Sequence, residues 1–278
     1  MSHPDDGSPW GEYRAAATFT FDLDADESWR VRAEQDPAWG KRAIRTRGEF
    51  GPKVAVPRIL EVFDRYDVTC TFFVPGKVAE DWPATVQTIH EAGHEIAHHG
   101  YTHASPRGMT TEEETEEFIR ALDVFDDVLG ETPDGYRNPG GGMSEHTLDL
   151  LVDHDMAYDS SIKDLDIPYT LSETDDRIVE LPNSYYLDDF VYFGYNMGPT
   201  YEFQAGISPT GPVFDSWQRE FDGIYKHNRL FMLTMHPQVI GRAGRMDALE
   251  ELLQHVLQTG DTWVTTARDV AKHWQTRD

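Results

Sequence analysis

Two histidines four residues apart, in His99-Gly100-Tyr101-Thr102-His103, sit at the end of a short extended run and are separated by a glycine. Imidazoles at this spacing can share a metal ion if the chain turns between them, and Gly100 permits the turn. A third ligand would have to come from far upstream, in Thr20-Phe21-Asp22-Leu23-Asp24. Strand alternation puts Asp22 and Asp24 on the same side, about 6–7 Å apart. Two neutral imidazoles and one carboxylate bind a divalent ion and leave positions for water and substrate. The second carboxylate could then take a proton from that water.

An overlapping motif competes for attention. His94-Glu95-Ile96-Ala97-His98 matches the H-E-x-x-H pattern of zinc peptidases, which works only on a helix, where i and i+4 share a face. Here Gly93 ends the preceding helix and Gly100 follows two residues after His98. As a strand, the segment would hold the two imidazoles about 13 Å apart, too far for one ion. His94 and His98 are therefore expected to be packing or hydrogen-bonding residues.

The elements that must position these groups alternate along the chain. Apolar runs at 15–21, 68–74, 94–98, 133–137, 157–161, 178–182, 230–235 and 262–265 read as strands. Between them lie helical patterns, among them 56–66, 83–92, 110–129 with a Thr110 N-cap, a helix from Ser144 to about His154, 211–226 and 246–258. Residues 1–13 read as a loose polar lead-in, and 25–53 as a long irregular loop whose Trp29 and Trp39 would wall the site. Strand–helix alternation predicts parallel βαβ units and a single distorted (β/α) barrel spanning residues 1–278. The polar residues of interest recur at strand ends: Asp22 and Asp24, His99 and His103, Arg137, Asp189, His236. In such barrels that edge carries the chemistry.

Taken together, these stretches resemble the polysaccharide deacetylase family over roughly residues 15–270, in five ordered motifs. Thr20-Phe21-Asp22-Leu23-Asp24 is similar to the first, which implies Asp22 as base and Asp24 as metal ligand. His99-Gly100-Tyr101-Thr102-His103 is similar to the second and implies both histidine ligands. Arg137-Asn138-Pro139-Gly140 resembles the third, whose arginine steadies the base and whose following loop offers a backbone N–H to an oxyanion. Asp188-Asp189-Phe190 resembles the fourth, with Asp189 tethering the acid histidine. Leu233-Thr234-Met235-His236-Pro237 resembles the fifth and supplies that histidine, His236. Within the family the chain is most similar to the branch of peptidoglycan deacetylases, cyclic-imide hydrolases and metal-independent allantoinases. The stretches Thr46-Arg47-Gly48-Glu49-Phe50-Gly51, 93–103 and His236-Pro237-Gln238-Val239-Ile240-Gly241-Arg242 carry that likeness. Retention of Asp24, His99 and His103 argues against the metal-independent type. One departure stands out: Gly140, Gly141 and Gly142 occupy the place of a usual aromatic residue after Arg137-x-Pro139.

The resemblance implies a metal-dependent hydrolase of non-peptide C–N bonds, with Zn²⁺ the expected ion and an N-acetylated sugar or glycan the expected substrate. Opening of a cyclic imide or ureide would use the same site. A 2-His-1-carboxylate iron oxygenase shares the ligand set, but leaves Asp22 without a role. A non-catalytic glycan-binding relic would be expected to have lost the base or the acid.

Composition narrows the setting. With 278 residues and 39% apolar content the chain can bury one large core. No apolar run reaches 18 residues, so no membrane span is expected, and the N-terminus lacks the features of a secretory signal, which favours a cytoplasmic setting. The single cysteine, Cys70, excludes an intramolecular disulfide and reads as a buried small hydrophobe. Fifty acidic residues against 24 basic ones give a formal charge of -26, a field that repels nucleic acid and anionic membranes. Homo-oligomerisation is left open. The acids are spread along the chain and lysine is scarce, as expected of a halophile with a salt-loaded cytoplasm. Unfolding with and without molar KCl checks this: the salt-adapted reading predicts marked stabilisation by KCl, and full stability in dilute buffer contradicts it.

Overall fold

The computed structural model describes residues 8–175, 177–194 and 207–277. Among the described residues nine strands form one sheet: β1 (Ala15–Asp22), β2 (Thr71–Val74), β3 (Glu95–His98), β4 (Gly135–Tyr136), β5 (Tyr158–Asp159), β6 (Tyr169–Thr170), β7 (Val179–Glu180), β8 (Leu230–Met235) and β9 (Thr262–Val264). The order is β6-β7-β5-β4-β3-β2-β1-β8, with β9 also on β1. All pairings are parallel except β6 with β7. β8 occupies one edge of β1 along residues 16–21, so β9 at 15–17 and β2 at 20–22 share the other edge. The sheet curls into a half-barrel, and a single parallel bridge, Asp188 to Thr234, continues it beyond β8. This is the expected distorted (β/α) barrel.

Every residue of β1 is buried, as a parallel strand covered on both faces requires. Its odd-numbered aromatics, Phe19 and Phe21, pack outward against Phe63 of the helix Val56–Arg65. The even-numbered side chains face the other way, which puts Thr20 and Asp22 on the barrel interior. The helix Thr111–Leu129 begins with a full capping box, Thr110 with Glu113, and ends at Gly130 in a left-handed turn (φ 74°). Cys70 is buried and free, as expected. Among the described residues, no helix is long and apolar enough to cross a membrane.

Two expectations need correction. Residues 25–53 are not an irregular loop. They form the helices Glu27–Gln35 and Arg42–Phe50, a short 3₁₀ turn Pro37–Gly40 and the start of a π-helical stretch Gly51–Ala55. No apolar periodicity announces them, because ion pairs organise the segment: Asp26 binds Arg30 at 3.1 Å and Arg45 at 2.6 Å. Trp29 is fully buried beneath them, whereas the side chain of Trp39 lies outside what is described. Nor is the lead-in wholly loose. Trp10 is buried, donates its indole N–H to the Asn228 carbonyl, and packs near His273 and Trp274; residues 1–7 lie outside the described range. Smaller shifts are that the 147–153 helix starts later than Ser144, whose hydroxyl instead accepts from His146 N, and that the antiparallel β6 had no clear signal.

Gly48 locks this helical segment to the end of β1. A Cβ there would stand 2.0 Å from the Ala25 carbonyl oxygen, one residue past Asp24. Gly48→Ala should therefore cost about 1–3 kcal/mol in denaturant unfolding, the range for overpacking a tight site. An unchanged midpoint would show that the two backbones separate freely.

Candidate active site

The C-terminal edge of the half-barrel opens on a cavity of about 280 Å³ lined by Asp22, Asp24, His99, His103, Arg137 and His236, among others. All seven residues singled out from the sequence meet here, with Asp189 directly behind His236.

The histidine pair is set by backbone and tautomer. Gly100 has φ 70°, and a Cβ on it would come within 2.8 Å of Pro139 Cγ. His103 also lies in the left-handed region, at φ 58°, which a non-glycine residue adopts only when its surroundings demand it. Thr102 supplies the demand, because its N–H and hydroxyl both donate to Glu117. The turn through Tyr101 and Thr102 is thus a bend pinned to a neighbouring helix. His99 Nδ1 donates to the Arg137 carbonyl at 2.6 Å, which leaves Nε2 as the lone-pair nitrogen facing the cavity. Burial lowers its pKa to about 4 against the pull of Asp22 and Asp24, so the imidazole is neutral.

Asp24 Oδ1 is 3.8 Å from His99 Nε2 and 3.3 Å from His103 Nε2. Ligands ~2.1 Å from one ion stand about 3–3.5 Å from each other, so the spacing suits a shared cation. Asp24 Oδ1 is also buried without a hydrogen-bond partner, although burying an unpaired carboxylate oxygen is costly. The donor set therefore fits a divalent ion. A second cluster, Asp188, Asp189 and His236, has comparable spacing. Its acceptors are already engaged: Asp189 takes His236 N and Nδ1, and Asp188 Oδ1 takes Phe190 N.

On one side of the triad stands Asp22, held by Arg137 at 2.6 Å. Burial alone would raise the Asp22 pKa. The charge of Arg137, reinforced by the charge of His236 and the Arg137 hydrogen bond, outweighs it and keeps the carboxyl below its usual range. Arg137 has no donor to spare. Its Nε reaches the Ser160 carbonyl, one terminal nitrogen Thr20 and Asp22, and the other Ser160 Oγ and Met232 Sδ. On the opposite side stands His236, whose Nδ1 donates to Asp189 at 2.7 Å. Burial works against the charged imidazole, but the Asp189 hydrogen bond and the charges of Asp189, Asp24 and Asp188 raise its pKa well above the usual value. Its Nε2 points toward Asp22 and Asp24, 4.0 Å from an oxygen of each.

The H-E-x-x-H residues are elsewhere, His94 just before β3 and the other four within it. His98 Nε2 contacts the Phe118 carbonyl and its Nδ1 accepts from Gly100 N, with burial holding its pKa near 3. His94 packs against Phe63 and Phe72 and accepts from Cys70 N. Glu95 is bound by Thr71, Tyr158 and the Arg268 N–H. Thr20 and Asn138 stand inside the first and third motifs, which imply no role for them, and Ser160, Lys163 and Asn183, which hold or line the site, follow no motif spacing. Sequence reading also missed the buried carboxyl pair behind the site, Asp159 and Glu180, neighbours across β5 and β7.

That pair gives a pH prediction. Burial raises both carboxyls above their ordinary values of 3.8 and 4.5, and the Asp159 charge opposite pushes Glu180 up further, so the pair retains a proton. A raised carboxyl binds more protons folded than unfolded, so its contribution is intact in acid and declines as pH rises from about 4.5 through the folded value. Glu180→Gln keeps an acceptor for Ile162 N and donates to Asp159 without needing that proton. Denaturation at pH 5 and pH 8 should show the variant gaining on the native protein at pH 8; equal losses at both would contradict the shared proton.

Comparison with known proteins gives a consistent answer. Residues 49–158, which include His99, His103 and Arg137, match the family model for polysaccharide deacetylase. The chain is 29% identical over 249 residues to the peptidoglycan deacetylase of Helicobacter pylori, covering 79% of this chain and 84% of that protein. A solved structure from Mycobacterium smegmatis, assigned to the polysaccharide deacetylases, superposes with a TM-score of 0.88 at 36% identity, over 99% of this chain and 93% of that one. The allantoinase PuuE shares the fold, with a TM-score of 0.81 at 22% identity over 99% of this chain and 98% of that one. With this fold, these relatives and these residues gathered at one strand edge, the chain belongs to the polysaccharide deacetylase family of hydrolytic enzymes.

Proposed function

We propose that this protein is a metal-dependent amide hydrolase that deacetylates an N-acetylated sugar or glycan, with Asp24, His99 and His103 holding a divalent cation, Zn²⁺ by preference of the donor set. One observation carries the reading: an anionic carboxylate and a cationic imidazole, each locked by its own buried partner, face each other across the orphaned Asp24 oxygen. A divalent ion there supplies Lewis acidity to the amide carbonyl and to the attacking water.

The remaining work falls to side chains of this chain. Asp22, kept ionised by Arg137, takes the proton from the attacking water through Oδ2, since Oδ1 is engaged by the guanidinium. His236, kept protonated by Asp189, gives its Nε2 proton to the leaving nitrogen. Gly140 and Gly141, both at positive φ, line the cavity with bare backbone, and their N–H groups serve as donors to the developing oxyanion. The same two glycines leave room for a cyclic imide or ureide in place of an acetamide. Product analysis separates the two: acetate release indicates deacetylation, and an uptake of water without a second product indicates ring opening.

Asp22→Asn and His236→Ala should each lower kcat about 10²–10⁴-fold, the usual contribution of an acid or base, while dialysed protein keeps its metal. His99→Ala should lose the metal, read by elemental analysis. Native turnover in Asp22→Asn, or full metal content in His99→Ala, would remove the basis of the assignment.

A further inference from the structure

The cavity has a basic wall as well as an acidic one. Lys163 lies on it, half-buried, in a chain with only six lysines and a formal charge of -26. Among the described residues no carboxylate stands within ion-pair distance of its ammonium. One N–H bond goes to the Ser161 carbonyl at 2.9 Å, and the Tyr185 ring lies beneath the nitrogen, 5.0 Å to the centroid. Both contacts hold a cation in place without neutralising it. Burial and the nearby Arg137 push its pKa down, and the carboxylates of Glu180, Asp159 and Asp188, which lie beyond ion-pair distance, offset this only in part. Arg137 itself offers nothing to a ligand, because its donors are all spent.

A second observation lies beside it. Asn138 lines the same cavity, is 4% exposed, and has both side-chain polar atoms buried with no partner. Its backbone is fixed, its N–H donating to Ser161 Oγ, which in turn donates to Asp159. A buried, unpaired amide on an anchored backbone is costly unless something else completes it.

We propose that Lys163 and Asn138 form an anion subsite, so that the substrate of the hydrolytic site carries a carboxylate near the scissile amide. The proposal rests on the hydrolase reading above for the identity of the reacting bond, but not for the subsite itself. Two ammonium N–H groups remain for one monoanion, and the Asn138 amide adds a neutral donor. A carboxylate matches this single positive charge; a phosphate dianion would bring excess charge into a strongly acidic molecule. Tyr185, 56% exposed at the rim, offers a ring face to the rest of a sugar.

The test uses the full chain with Zn²⁺ and two matched pairs: N-acetylmuramic acid and its methyl ester, and an N-acetylated aminouronic acid oligosaccharide and its methyl ester. Turnover and calorimetric affinity are both measured. In at least one pair the acid should exceed the ester roughly ten- to a hundredfold, the worth of a hydrogen bond to a charged group. Lys163→Met should bring that ratio toward one, and Lys163→Arg, which keeps the charge, should preserve most of it. Equal hydrolysis of acid and ester, or a native ratio in Lys163→Met, would overturn the subsite while leaving the hydrolase reading intact. Preferential binding of the acid without hydrolysis would sustain the subsite and count against that reading. Failure to bind either form of both pairs would overturn the subsite.

Discussion

The guanidinium of Arg137 is the interaction on which the interior depends. It stacks 3.9 Å over Phe73 of β2, bonds Thr20 and Asp22 of β1, takes both the carbonyl and hydroxyl of Ser160 after β5, and touches Met232 of β8. A cation buried this deeply costs several kcal/mol unless every donor is met. Meeting them fixes four strands relative to one another. It also fixes the charge of Asp22, and the Arg137 carbonyl, through His99 Nδ1, chooses which imidazole nitrogen faces the cavity. One side chain and its own backbone thus set both the charge of the proposed base and the orientation of a proposed ligand.

On the other side of the cavity the same principle recurs with opposite sign. Asp189 is fully buried and gives its acceptors to the backbone and ring of His236. The single bridge from Asp188 to Thr234 is what brings Asp189 there, beyond the edge of β8. The site is therefore assembled on either side of β2: Asp22, Asp24 and His236 come from the β1–β8 side, and His99, His103 and Arg137 from β3 and β4. Between them sits Asp24, whose Oδ1 is buried without a hydrogen-bond partner.

How much of this could be read from the residues depended on the kind of force involved. Strand ends carrying Asp22, His99, Arg137 and His236 were legible because apolar runs mark strands and polar residues at their ends stand out. The true histidine pair was separable from His94 and His98 because glycines at 93 and 100 forbid the helix that the competing motif needs. The helices over 27–50 were illegible. Asp26, Arg30 and Arg45 hold them by ion pairs, which leave no apolar stripe to read. Trp10 was missed for a related reason, since its burial depends on Asn228 and Trp274, more than 200 residues away. The pinning of Thr102 by Glu117, and of Arg137 by Thr20 and Ser160, joins residues whose proximity only the closed sheet creates. Lys163 left a trace in its rarity within an acidic chain, but rarity gives no position.

The central claim is that Asp24, His99 and His103, and not the neighbouring Asp188, Asp189 and His236, hold the metal. A crystal structure of the protein grown with Zn²⁺, with the ion located by its anomalous scattering, tests this most directly. The account predicts one strong peak bound by Asp24 Oδ1 and by Nε2 of both His99 and His103, with the His236–Asp189 hydrogen bond intact. A peak between His236 and the Asp188–Asp189 carboxylates, or none near Asp24 at saturating zinc, would contradict it.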